Sequence, residues 1–131
     1  MTMFDDVGAF HKKFGLDVYH EDTDAHWLSD ELMEFRLKFL EEEMRELREA
    51  VVARDMVKVA DALGDIVWVA LGHGHLMSIP MDGVWAEIRR ANMAKVRSVG
   101  DDDPRSTRGS RFDVVKPPGW VPPDIGWILK R

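Results

Sequence analysis

The chain has 131 residues, a formal charge of -6 and no cysteine. That length suits one compact domain with its own core, and the absence of thiols removes disulfide frameworks, thiolate zinc sites and cysteine nucleophiles together. The acidic balance argues against non-specific nucleic-acid binding, which rests on a basic surface, and no apolar run approaches the roughly 20 residues of a membrane span.

The opening "MTMFDDVGAFHKKFG" carries acids where a secretory signal needs a basic start and an apolar run, so the expected setting is a reducing cytoplasm. Phe4, Val7, Phe10 and Phe14 recur at spacings of three and four, which predicts a short amphipathic helix ended by Gly15. "LDVYHEDTDAHW" reads as a polar loop. Ser29 or Asp30 caps a long second helix running to about Arg54, in which Leu37, Leu40, Met44, Leu47 and Val51 form one apolar stripe. A third helix, "MVKVADALGDIVWVALGHGHLM", is apolar over most of its circumference and is expected at the centre of a bundle, with Val59, Leu63, Ile66, Val67, Ala70 and Leu71 available for packing. Pro80 separates it from a fourth helix carrying Val84, Trp85, Ile88 and Met93. From Ser98 the composition turns to Gly, Pro, Asp and Ser, which predicts a loop-rich arm over 98–131 following a helical domain over 1–97; its end, "PDIGWILK", makes one closing turn. No run alternates as a strand. The predicted class is all-α, a bundle of four to five helices with a C-terminal arm packing on it, and the apolar third helix calls for cover from a second copy, as homodimer or homotetramer.

The second helix packs Glu41, Glu42, Glu43, Glu46 and Glu49 into "EEEMRELRE". At about 100° per residue, Glu42, Glu46 and Glu49 project within roughly 60° of one another, with Glu43 on the adjoining shoulder. Alone, such a face is more simply a solvated one. The third helix changes the balance, because Asp61 and Asp65 are the only charges between Ala60 and Leu71 and lie one turn apart on the same side. Aspartate is a poor helix former and an expensive buried charge, so the pair calls for a compensating partner, and a cation shared with the glutamates supplies it. The donor set is all oxygen, which suits Mg²⁺ or Mn²⁺ rather than zinc. His73 and His75 point about 200° apart and do not chelate jointly. Asp61, Asp65, Trp68, Gly72 and His75 form one stripe down the helix.

"EEEMRE", "DALGDIVWV" and "ANMAK" resemble the MazG-like all-α nucleoside triphosphate pyrophosphohydrolases, a superfamily that includes dimeric dUTPases and phosphoribosyl-ATP pyrophosphohydrolase. The resemblance covers roughly residues 4–96, and "FHKKFGL" with "PPDIGWIL" is similar to its phage and bacterial branch. It implies a hydrolase that turns a nucleoside triphosphate and water into a nucleoside monophosphate and pyrophosphate on two to three divalent ions. Carried over by position, Glu43, Glu46, Asp61 and Asp65 are the metal ligands and Glu42 the base or water-orienting group. The sequence departs from the usual Glu-x-x-Asp pair, since Ala62 stands where glutamate is expected and Asp61 sits one residue earlier. Asn92 and Lys95 match phosphate-contacting residues, and Arg105, Arg108 and Arg111 of the arm are further phosphate candidates because arginine forks suit phosphate oxygens. Candidate base contacts are His11, Phe14, Trp27, Trp68 and His75. Similarity to the MazZ subgroup, which removes guanine nucleotides, makes dGTP or GTP the expected substrate. The competing readings are a helical interaction module and a nucleotide-binding regulator that holds metals without turnover.

Overall fold

The protein is described by a computed structural model covering residues 1–16 and 24–130, so part of the polar loop expected over 16–27 lies outside the described residues, as does Arg131 at the end of the expected arm. It is an all-α structure with five helices among the described residues: α1 Met3–Lys13, α2 Asp30–Val52, α3 Met56–Leu76, α4 Met81–Met93 and α5 Ile125–Leu129. None is long and apolar enough to cross a membrane. By internal contact the chain forms two compact units, residues 1–82 with 129–131, and residues 83–128.

In the first unit, α3 packs against both α1 and α2. Helix α1 starts in a capping box, the Thr2 hydroxyl accepting from Asp5 N at 3.1 Å and the Asp5 carboxylate from Thr2 N at 2.8 Å. Gly15, at φ 64°, breaks it. The Ser29 hydroxyl accepts from Leu32 N at 3.2 Å and opens α2. Helix α2 ends at a left-handed Arg54, and Asp55 then caps α3 by accepting from Lys58 N at 3.2 Å.

Helix α2 covers only part of the stripe its apolar residues predict, with Leu40 and Leu47 half-buried. Leu37, Met44 and Val51 are 44%, 53% and 57% exposed, whereas the buried positions are Arg36, Glu43 and Ala50. These three repeat every seven residues and so form one seam, about 100° around the helix from Leu37, Met44 and Val51. The reason lies in the facing surface: α3 offers the small residues Ala62 and Gly72 together with Val69, and all three are buried. Leu63 and Val67, expected to pack, are instead about half exposed.

In the second unit, Val96–Arg97 pairs antiparallel with Val114–Val115, a short strand pair that the sequence reading lacks. Residues beyond Ser98 are tied to α4: the Trp120 indole donates to Ala91 O at 2.7 Å, Arg90 donates to Pro122 O at 3.1 Å, and Asp124 N donates to Glu87 at 3.0 Å. The Glu87 carboxyl, paired with Arg90, is held below its ordinary range.

Candidate metal centre

The α2 seam brings Glu43 against α3, where Glu43, Glu46 and Asp65 each present an oxygen within 4.8 Å of the others'. Glu43 is buried, Asp65 half-buried and Glu46 exposed, so the cluster runs from the helix interface to the surface. The Glu43 carboxyl is pushed above its ordinary value, first by burial, then by repulsion from Glu46 and Asp65, by a hydrogen bond with the Glu46 carboxyl, and last by repulsion from Glu42. Its Oε2 is buried and has no hydrogen-bond partner among the described residues. A buried orphan oxygen beside two further carboxylates costs stability unless a cation or a proton joins it, and an all-oxygen donor set suits a hard divalent ion.

Three of the expected acids therefore converge. Glu42 and Asp61 are exposed and lie outside the trio, and Ala62 is buried at the α2–α3 seam. The surface ion pairs of α2 are Glu34 with Lys38 and Arg45 with Glu49.

Of the expected base contacts, His11 and His75 are buried with ring centroids 4.6 Å apart, and Phe4 meets His75 edge-on at 5.9 Å. Trp68 stands edge-on to Phe10 at 5.3 Å, and Phe10 in turn meets Phe14 at 4.9 Å. Trp27, by contrast, is 84% exposed. His73, read as a local polar residue, places Nε2 3.1 Å from the Met33 sulfur, and burial followed by the Arg36 charge lowers its pKa.

The expected phosphate residues fall in the second unit, where each charged one has a local partner. Lys95 lies over the Trp120 ring at 5.5 Å. Arg105 donates through Nη2 to Asp103 at 2.9 Å, Arg108 donates to Asp113, and Arg111 stands 3.6 Å from Asp101. Asn92 is exposed.

One buried charge on the seam escaped the sequence reading. Arg36 is 8% exposed and donates through Nη2 to Val69 O at 2.7 Å, its Nε is buried without a partner among the described residues, and burial lowers its pKa. The available signal was its position seven residues before Glu43, on the seam that α2 buries.

An all-α chain with a converging acidic trio on facing helices defines a metal-associated hydrolase fold suited to phosphoanhydride chemistry. The sequence model of the phosphoribosyl-ATP pyrophosphohydrolase family matches residues 7–92, well over half of the chain, and the chain belongs to that family. The family is related in fold and reaction type to the MazG-like hydrolases, so the expected superfamily stands while the narrower MazG-like placement gives way to this one. The chain is also similar to an uncharacterised protein of Acanthamoeba polyphaga mimivirus, 32% identical over 84 residues, covering 62% of this chain and 33% of the relative. It thus spans about a third of the length of that curated relative.

Proposed function

We propose that the protein is a nucleoside triphosphate pyrophosphohydrolase dependent on Mg²⁺ or Mn²⁺, releasing a nucleoside monophosphate and pyrophosphate, with dGTP or GTP as substrate. The observation that carries this reading is the buried, unpartnered Oε2 of Glu43 beside Glu46 and Asp65. A triphosphate brings about four negative charges, and an acidic site accepts it only when cations lie between the two. Glu43, Glu46 and Asp65 would hold them, with Asp61 one turn from Asp65 extending the set to two or three ions. Cations held there would offset the charge developing on the phosphoryl oxygens and lower the pKa of the attacking water. Glu42, exposed at the edge of the trio, takes the proton as the water oxygen bonds to the α-phosphorus and the α–β bridging bond breaks. Buried Glu43 marks the inner end of the site, at the α2–α3 seam. His11, His75, Trp68, Phe14 and Trp27 remain the proposed nucleoside contacts.

The half-exposed apolar residues Leu63 and Val67 on α3, with Leu37, Met44 and Val51 on α2, support assembly as a homodimer or homotetramer. A regulator that holds ions without turnover is the second reading, favoured by Ala62 at the position where the resemblance expects a glutamate. Incubating the protein with each ribo- and deoxynucleoside triphosphate plus Mg²⁺ or Mn²⁺, and separating products by chromatography, decides between them. Monophosphate with pyrophosphate supports the hydrolase. Nucleotide binding with no product supports the regulator.

A further inference from the structure

We propose that Asp6 reads the nucleobase in a groove between α1 and α3, admitting bases that carry an exocyclic amino group and turning away uracil and thymine; the inference rests on the pyrophosphohydrolase reading of the site. The groove holds about 340 Å³, within the range of about 300–1,000 Å³ usual for small-molecule sites. Met3 and Val7 of α1 and Leu63 and Val67 of α3 form apolar walls, and Gly64 keeps the space open, since no atom lies within 4 Å of where its Cβ would stand. Among the described residues, Asp6 supplies the only charged side chain of the lining. It is exposed, and no ion pair engages it among those residues. A mostly apolar cleft with one such group suits a flat ring whose edge meets the polar point.

The groove lies where a nucleotide on the acidic trio would send its base. Trp68 lines it and follows Asp65 by three residues on α3, about 4.5 Å along the axis. Trp68 is 40% exposed, and Phe10 of α1 stands edge-on to it at 5.3 Å, so the indole is braced from α1 and still open to a stacking partner. An ionised carboxylate only accepts hydrogen bonds, and so it sorts bases by what their edges donate. Cytosine, adenine and guanine each offer an amino group. Uracil and thymine flank their lone ring N–H with two carbonyl oxygens, which repel the carboxylate. Asparagine in the same place would donate as well as accept, and would not discriminate.

The test measures binding of the α,β-imido analogues of dCTP, dUTP, GTP and ITP, with inorganic triphosphate as control, to the full chain with Mn²⁺. Each pair, cytosine against uracil and guanine against hypoxanthine, differs at the amino group. The wild type is expected to bind the amino member of a pair about tenfold or more tightly. In Asp6→Asn the ratios fall to near one while affinity for triphosphate and Mn²⁺ holds, whereas a residue that only favours the start of α1 would shift the melting temperature and leave the ratios intact. Gly64→Leu fills the groove with a better helix former and should weaken every analogue by about tenfold while sparing triphosphate. Should that variant not fold, Gly64→Ala shows the same pattern with a several-fold loss. Ratios near one in the wild type, ratios that survive Asp6→Asn, or wild-type affinities in the folded Gly64 variant overturn the proposal. Equal binding within the pairs sinks this inference alone, whereas no product from any nucleoside triphosphate sinks the pyrophosphohydrolase reading beneath it.

Discussion

Gly72 and Arg36 claim the same space: the Arg36 guanidinium lies where a side chain at residue 72 would begin, 2.8 Å from the position of a Cβ. Replacing Gly72 with alanine therefore drives Arg36 off the Val69 carbonyl or pushes α2 away from α3. Overpacking of this kind costs about 1–3 kcal/mol, more than the helix propensity gained from alanine, which is about 1 kcal/mol. Urea unfolding of Gly72→Ala should show a lower midpoint. In an Arg36→Ala background the penalty should largely disappear, since the clash has been removed.

Cation binding is expected to appear as stabilisation before any substrate is added. A ligand that binds only the folded state contributes about 2.7 kcal/mol at a hundredfold excess over its dissociation constant. Mn²⁺ should raise the wild-type melting temperature, and Glu46→Ala or Asp65→Ala should abolish both that rise and turnover while leaving the helical circular dichroism spectrum intact. A mutant that keeps near wild-type activity would remove its residue from the site.

Glu43 gives a pH signature of definite sign. Its carboxyl is held above the ordinary value by burial and by its acidic neighbours, so the folded chain binds that proton more tightly than the unfolded chain. Stability from this group rises as pH falls through the raised value and is complete below the unfolded value of about 4.3. Without divalent cations, Glu43→Gln should melt above wild type at pH 7.5, and the gap should narrow toward pH 5. A mutant that melts lower at pH 7.5 would show that the cation-free trio is not under repulsive strain.

Asp103 should behave in the opposite sense. Its side chain is buried and is held well below the carboxylate range, first by the Arg105 guanidinium and then by Val99 N–H and Arg105 N–H, at 3.0 Å each. Stability from a depressed carboxyl is present above the unfolded value of about 3.9 and is lost as pH falls through the folded one. Asp103→Asn should accelerate hydrogen exchange across residues 98–113 at pH 7. The difference from wild type should persist at pH 5 and shrink below about pH 4.

What the sequence shows is strongest where a local rule acts alone. Apolar spacing with local caps and breakers placed four helices, the Phe4, Val7, Phe10 and Phe14 recurrence ended by Gly15, the Ser29 cap and the Pro80 break each acting on their own backbone neighbours. The rotation of α2 was not readable in that way. Leu37, Met44 and Val51 are the more apolar face, and hydrophobicity alone turns them inward; only the small residues opposite them on α3 favour the face carrying Arg36 and Glu43. Spacing alone gathered the acids but did not separate Glu43, Glu46 and Asp65 from Glu42 and Asp61, because a few tens of degrees on a helix decide which oxygens meet. The strand pair at Val96 and Val115 is too short to alternate, and so left no pattern to find.

The inward charged seam of α2 also sets how this protein tolerates change. At Arg36 and Glu43 an isosteric apolar residue such as methionine or leucine would relieve a desolvated charge, and buried ionic groups replaced in this way often leave a protein neutral or more stable by about 1–4 kcal/mol. Thermal selection that ignores activity should therefore drift toward such replacements at these two positions. A library screened for heat resistance should find its survivors concentrated there, and the two positions would mark where the chain keeps buried charge at the expense of durability.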